Sequence, residues 1–399
     1  MILQSTLENC VAEQKANMLK QLTGVTREQK SDITIIQDFI TIITGIRRCG
    51  KSTLMLQMIK KLGNDYAYFN FEDPRIVGFE THDFEKLEKV LGDKKFYFFD
   101  EIQNIENWEI FIRKLHDRKK AICITGSNAS LLSKELGTRL TGRNIQKELF
   151  PFSYREFCKF FKLGKSESSL EKYIQKGGFP AFLQHTDTTY LQQLFRDILY
   201  RDIIVRHGVR NAKLFEQLSS FLISNIGSEY SLNKLKNIFG IGSANSVADY
   251  ISWLEDSYLL FSLPRFSWSL KSIAVNPKKI YAIDTGFINA NSQSFSKDRG
   301  RLLENAVYLH LRKSRNEIFY FREKGECDFL VKDKNKITEA IQVCYDLNTD
   351  NLSREMKGLE EAMELFQLKK GTLITFNQKD TLHTSKGKIN VIPASEWMY

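Results

Sequence analysis

"FITIITGIRRCGKSTLMLQMIKKLG", residues 39–63, joins an apolar run to a glycine-rich turn and a helical pattern. A β-branched, apolar run (39–44) leads into Gly45, four residues, then Gly50, Lys51 and Ser52, and a helical pattern of apolar residues follows as far as Gly63. That is the order of a buried strand, a phosphate-binding loop and a helix whose C-cap is Gly63. The chemistry asks for these residue types. Glycines let successive backbone N–H groups turn inward on a phosphate, and the start of the helix adds the positive end of its dipole. Lys51 carries the charge that neutralises β- and γ-phosphates, and Ser52 offers a hydroxyl to Mg²⁺. Gly45, Arg47, Arg48, Gly50, Lys51, Ser52 and Thr53 are therefore the candidate nucleotide-binding residues. A bare glycine turn is the competing reading, and the strand before and helix after the loop weigh against it.

Outward from the loop, four more short apolar runs alternate with helical stretches: "YAYFNF" (66–71), "KFYFFD" (95–100), "AICITGS" (121–127) and "IQKELF" (145–150). Five strands joined by crossover helices predict an α/β fold with a parallel sheet. "KFYFFD" ends on Asp100, with Glu101 next. Two acids cannot continue a buried strand, so they emerge at the sheet's carboxyl edge, which also carries the phosphate loop. There Asp100 reads as a Mg²⁺ partner acting through water, and Glu101 as the base that polarises an attacking water. Thr125, Ser127 and Asn128 close the next strand, as γ-phosphate sensors or as a plain turn. Arg139 and Arg143 precede the last strand, and Arg143 is the stronger candidate to reach a nucleotide on a neighbouring subunit of a homo-oligomer.

The motifs "ITGIRRCGKSTL", "YFNFEDPR", "FFDEIQNIENWE", "ITGSNASLL", "LTGRNIQKELFPFSYREF", "GGFPAFL" and "YAIDTGF" occur in that order. Together they resemble the bacterial and archaeal AAA+ ATP-binding proteins that carry a domain of unknown function behind the ATPase core. The resemblance runs from about residue 20 to the C-terminus. It implies an ASCE-type P-loop core with strand order 5-1-4-3-2, a helical segment, a winged-helix-like segment and a C-terminal domain similar to restriction-endonuclease-fold nucleases. It also implies ATP and Mg²⁺ as the groups bound.

Five segments are expected: an N-terminal helical segment (1–35), the AAA+ P-loop core (36–150), a helical segment (151–225), a winged-helix-like segment (226–290) and a nuclease-like domain (291–399). A chain of 399 residues accommodates them, and 42% apolar with 27% charged residues is ordinary for a globular protein. The formal charge of +10 is compatible with an anionic partner. Six cysteines, Cys10, Cys49, Cys123, Cys158, Cys327 and Cys344, show no metal-binding spacing and point to a reducing compartment. No apolar run approaches the roughly 20 residues of a spanning helix, so a cytoplasmic location without membrane contact is expected.

"YLQQLFRDILYRDIIVRHG" (190–208) reads as one helix, with Arg196, Arg201 and Arg206 on a solvated face. From Ser231 the order is helix, turn, helix, extended stretch, the layout of a helix-turn-helix with a wing. Its second helix offers Asn245 but no basic residue, which disfavours reading of a major groove. Arg265, Lys271, Lys278 and Lys279 form a separate candidate basic surface.

In nucleases similar to the restriction-endonuclease fold, a helical acid, a strand Asp and a Glu-x-Lys pair surround a metal. Glu304 and Asp328 take the first two places, while Gln342, Val343 and Cys344 stand where Glu-Val-Lys is usual. The metal site thereby loses charge and its helper lysine, and Glu339 lies on the opposite strand face. The functional expectation is a Mg²⁺-dependent ATPase that drives a conformational change in a partner-binding, non-cleaving C-terminal half. Two alternatives stand beside it, an ATP-driven nuclease or remodeller acting on DNA and a nucleotide-controlled interaction scaffold with little turnover.

Overall fold

The β-branched run forms β1 (Ile40–Thr44), buried along its whole length. A strand covered on both faces has no need to alternate apolar with polar residues, and this one does not. The structure, a computed structural model, describes residues 1–20, 24–29, 33, 35–127, 142–185, 187–293, 298–314 and 317–399. Asn128 and Arg139 lie outside the described residues. The chain divides into two compact units, Met1–Phe150 and Pro151–Tyr399.

In the first unit, β1 lies beside β2 (Tyr66–Asn70), β3 (Phe96–Asp100), β4 (Ala121–Gly126) and β5 (Asn144–Glu148) in the order β2-β3-β4-β1-β5. Every pairing is parallel, so this is the 5-1-4-3-2 sheet expected from the resemblance. Thr44 is level with Gly126, and Asn70 with Asp100. The carboxyl ends of β1, β3 and β4 therefore lie at one edge. The helix Gln4–Lys20 (α1) joins the core, where Ile2, Leu7 and Cys10 pack in one cluster with Ile42, Phe69, Phe99 and Trp108. The helix after the loop, α2 (Lys51–Ile59), stops short of Gly63. Its last turn tightens, with the Lys61 N–H on the Met58 carbonyl and Leu62 on Ile59, before Gly63 takes a positive φ of 64°.

The second unit begins with helices. Ser153 and Glu156 form a capping box at the start of Tyr154–Phe161. The stretch read as one helix is α-helical over Thr188–Asp197, π-helical over Ile198–Ile204 and α-helical again over Val205–His207. Two of the sequence motifs, "GGFPAFL" and "YAIDTGF", meet here. Asp284 accepts the N–H groups of Gly178 (2.6 Å) and Phe287 (2.9 Å), and the Phe179 and Phe287 rings lie 5.7 Å apart. A Cβ on Gly286 would come within 2.0 Å of the Lys176 carbonyl oxygen. Both sides of that contact are backbone and neither can swing away. Gly286→Ala is therefore expected to cost about 3 kcal/mol, read as a lowered denaturant midpoint.

Next come β6 (Glu229–Tyr230), the helices Leu232–Phe239 and Ala244–Asp256, and the antiparallel pair β7 (Leu260–Pro264) and β8 (Lys278–Ala282), in a sheet ordered β6-β8-β7. The expected basic surface needs correction: Lys278 is half-buried, but Lys279 is buried, and Arg265 is paired with Glu323. Neighbours on a strand point to opposite faces, and Lys279 faces inward.

The helix Arg299–Lys313 precedes the antiparallel run β9 (Glu317–Arg322), β10 (Glu326–Asp333) and β11 (Lys336–Cys344). The helix Leu352–Leu365 then crosses to β12 (Lys370–Thr375), parallel to β11. With β13 (Asp380–Thr384) and β14 (Gly387–Pro393) the sheet is ordered β13-β14-β12-β11-β10-β9. All six cysteines are free and buried. No described helix is long and apolar enough to cross a membrane.

Candidate active site

The phosphate loop leaves β1 through Gly45, where a Cβ would meet the Leu149 carbonyl oxygen at 2.1 Å. Only glycine fits this close approach of β1's end to the chain leaving β5. Arg27, which sequence reasoning passed over, is buried beneath the loop and donates to the carbonyls of Cys49 (2.8 Å) and Phe150 (2.6 Å). Gly50 (φ 103°) turns the chain into α2, whose first turn no side chain caps, leaving its N–H groups for an anion.

Lys51 folds back onto the loop. Its ammonium lies 3.1 Å from the Gly45 carbonyl, 3.3 Å from that of Ile46 and 3.1 Å from Glu101 Oε1. Burial acts to lower its pKa, but Glu101, Cys49 and Asp100 together outweigh burial and the net shift is upward. Asp100 is fully buried at the end of β3, with the Ser52 and Thr125 hydroxyls donating to it and Tyr68 at 3.3 Å. Burial, joined by the neighbouring Glu101, pushes the Asp100 carboxyl up. Glu101 holds a left-handed conformation (φ 50°), and its N–H donates to Thr125 Oγ1 at 2.9 Å. Burial would raise its carboxyl, yet the Lys51 ammonium and a 2.6 Å hydrogen bond from Gln103 Nε2 hold it below the ordinary glutamate value.

Lys51, Ser52, Asp100, Glu101 and Thr125 thus converge at the carboxyl edge. Arg47 pairs with Glu72 at 3.0 Å, Arg48 is exposed (φ 66°), and Thr53 is half-buried in the first turn of α2. Ser127 is buried, 3.5 Å from Gln103 Nε2. Arg143 is not brought here. It sits at the amino end of β5, its carbonyl accepting from Ile40 N–H and its guanidinium 3.0 Å from Asp117. Gln103 and Tyr68 belong to the site although sequence reasoning missed them. The signal for Gln103 was its place two residues after Glu101, and its buried Oε1 has no hydrogen-bond partner among the described residues.

Hard oxygen donors at Ser52 and Asp100, an ammonium and uncapped N–H groups suit a nucleotide triphosphate with Mg²⁺.

Residues 37–158 match the family model of the AAA domain. Two domains of unknown function follow, DUF8612 over 167–298 and DUF4143 over 299–397. The uncharacterized protein MJ1544 of Methanocaldococcus jannaschii is 37% identical over 400 residues, covering 92% of this chain and 89% of that one. The chain belongs to the same family. An uncharacterized protein of Haemophilus influenzae is 28% identical over 344 residues, 79% of this chain and 86% of its own. Among solved structures, AMPPCP-bound DnaA from Aquifex aeolicus aligns with 13% identity and a TM-score of 0.30, over 57% of this chain and 85% of that one. The phosphate loop and the acids at the end of β3 thus lie within the residues that match the AAA domain.

In the C-terminal half of this family member, Glu304 and Asp328 do come together, but around a lysine. Lys279 Nζ lies 3.1 Å from Glu304 Oε1 and 2.9 Å from Asp328 Oδ1. Gln342 accepts the Asp328 N–H (3.2 Å) and donates to Glu355 (2.7 Å), and the Cys344 thiol turns to the Asp346 carbonyl. Glu339 is exposed.

Proposed function

We propose that the AAA domain binds ATP with Mg²⁺ and hydrolyses it, and that the cycle drives a conformational change in a partner-binding C-terminal half. The observation that carries this reading is the convergence of Lys51, Ser52, Asp100 and Glu101 on the phosphate loop. Mg²⁺, held by the Ser52 hydroxyl with Asp100 behind it, would neutralise phosphate oxygens. Lys51 exchanges Glu101 for the triphosphate, which frees Glu101 Oε1 to accept the proton of a water while Gln103 keeps Oε2 in place. The experiment is phosphate release from ATP by the purified chain, expected with Mg²⁺ and abolished by a chelator.

Arg143, at the sheet edge away from the loop, acts only if it serves another subunit. Turnover per chain then rises with concentration, and Arg143→Ala slows it without weakening ATP binding. The same assay in a dilution series tests both.

Two helices followed by an antiparallel pair support a winged-helix-like segment. The order helix, three antiparallel strands, helix, parallel strand supports a nuclease-like scaffold. Without a basic residue on the helix Ala244–Asp256, a protein partner fits better than a major groove, and a pull-down with Glu101→Gln tests this. The scaffold is read as non-cleaving. Supercoiled and branched DNA are expected to survive incubation in Mg²⁺ or Mn²⁺.

A further inference from the structure

Lys279 reaches the acids from outside the segment that carries them. It lies on β8, in register with Glu229 of β6 and Leu263 of β7. Its side chain, 3% exposed, ends on three carboxylates: Glu326 Oε1 at 2.7 Å, Asp328 Oδ1 at 2.9 Å and Glu304 Oε1 at 3.1 Å. Glu304 and Asp328 each accept a hydrogen bond from the ammonium, and Glu326 adds a third negative charge beside it. Oxygens around Mg²⁺ stand at about 2.0–2.1 Å, so the present shell has the size of an ammonium and not of that metal.

The rest of the surroundings serve the same arrangement. Asp328 Oδ2 accepts the Val343 N–H at 3.0 Å, and Glu304 Oε1 also accepts the Tyr281 hydroxyl at 2.6 Å. The Tyr320 ring lies 5.8 Å from the ammonium. Arg322, 2.8 Å from Glu229 and 3.6 Å from Glu326, is the further cation at the rim. No group of three or more described His, Cys, Asp or Glu residues is disposed to hold a metal. Two carboxylates this deeply buried cannot both stay ionised without a positive partner.

We propose that the Lys279 ammonium is the resident cation of this site, standing where a divalent ion would sit, so that Glu304 and Asp328 take up Mn²⁺ only once Lys279 is removed. The inference extends the non-cleaving reading of the C-terminal domain and rests on it for the comparison with a metal site. Its own readout is metal uptake, so its failure is separable from an observation of DNA cleavage.

The test uses the full chain without nucleotide, counting bound Mn²⁺ by electron paramagnetic resonance and following thermal melting. Wild type should show no melting shift with Mn²⁺ and no change in ion count on Asp328→Asn. Lys279→Ala should melt lower, bind one more ion than wild type, regain melting temperature with Mn²⁺, and lose that ion when Asp328→Asn is added. Should Lys279→Ala give no cooperative transition, Lys279→Ala/Glu326→Gln carries the same comparison, with fewer unpaired charges and the Glu304–Asp328 pair intact. An Asp328-dependent ion in wild type, or no additional ion in the folded variant, overturns the proposal.

Discussion

Glu101→Gln will keep ATP binding and lose turnover by roughly 10²–10⁴-fold. The substitution conserves shape, so the hydrogen bond from Gln103 and the Glu101 N–H contact with Thr125 Oγ1 survive. What disappears is the only group on Oε1 able to take a proton. In the wild type Lys51 and Gln103 hold the carboxyl below its ordinary value against burial. That depression belongs to the nucleotide-free chain; once Lys51 has turned to the triphosphate, burial acts to raise the Glu101 carboxyl. Turnover should accordingly fall as pH drops from 7 toward 5, where the base takes up its proton before the reaction. Equal turnover in Glu101→Gln, measured as phosphate release alongside nucleotide-binding calorimetry, would remove Glu101 from the reaction.

Lys51→Ala will lose at least about 100-fold in ATP affinity, on the order of 3 kcal/mol. The ammonium already sits at the mouth of the loop, held by the Gly45 and Ile46 carbonyls. Removing it leaves the triphosphate without its closest positive partner and leaves Glu101 as a buried carboxylate without a counterion. Both consequences oppose an incoming anion. Unchanged affinity by calorimetry, with an unchanged melting temperature, would mean that the loop does not hold phosphates.

The parts of this site that were legible in the sequence are those written into local order. A buried strand that must stop, two acids that must leave it and a glycine-lysine-serine turn each declare themselves within a few residues. Strand direction then puts Lys51, Ser52, Asp100 and Glu101 at one edge. The same logic places Arg143, at the amino end of β5, at the far edge, and sequence proximity to the strand concealed that. Lys279 was illegible for a different reason. Beside Lys278 it looks like one patch of charge, and alternation along β8 separates the two without saying which side is covered. What covers Lys279 is Glu304 and Asp328, which arrive from a later segment of the chain. Gln103 and Arg27 likewise act through partners distant in sequence or exposed only by a turn. Gly63 stayed a helix terminator, but the tightened last turn of α2 put the helix end at Ile59.

The six buried thiols turn the folded chain into its own clock. Burial raises every one of them above the ordinary cysteine value, Cys344 to about 11, so the reactive thiolate is scarce as well as shielded. An alkylating reagent then reads out how often each neighbourhood opens, because modification waits on exposure. Cys49 times the phosphate loop, Cys123 the strand beside it, and Cys327 and Cys344 the C-terminal sheet. A nucleotide that seals the loop should slow alkylation at Cys49 first. Whether the tempo at Cys327 and Cys344 changes with it measures how far the event at one end of the chain is felt at the other.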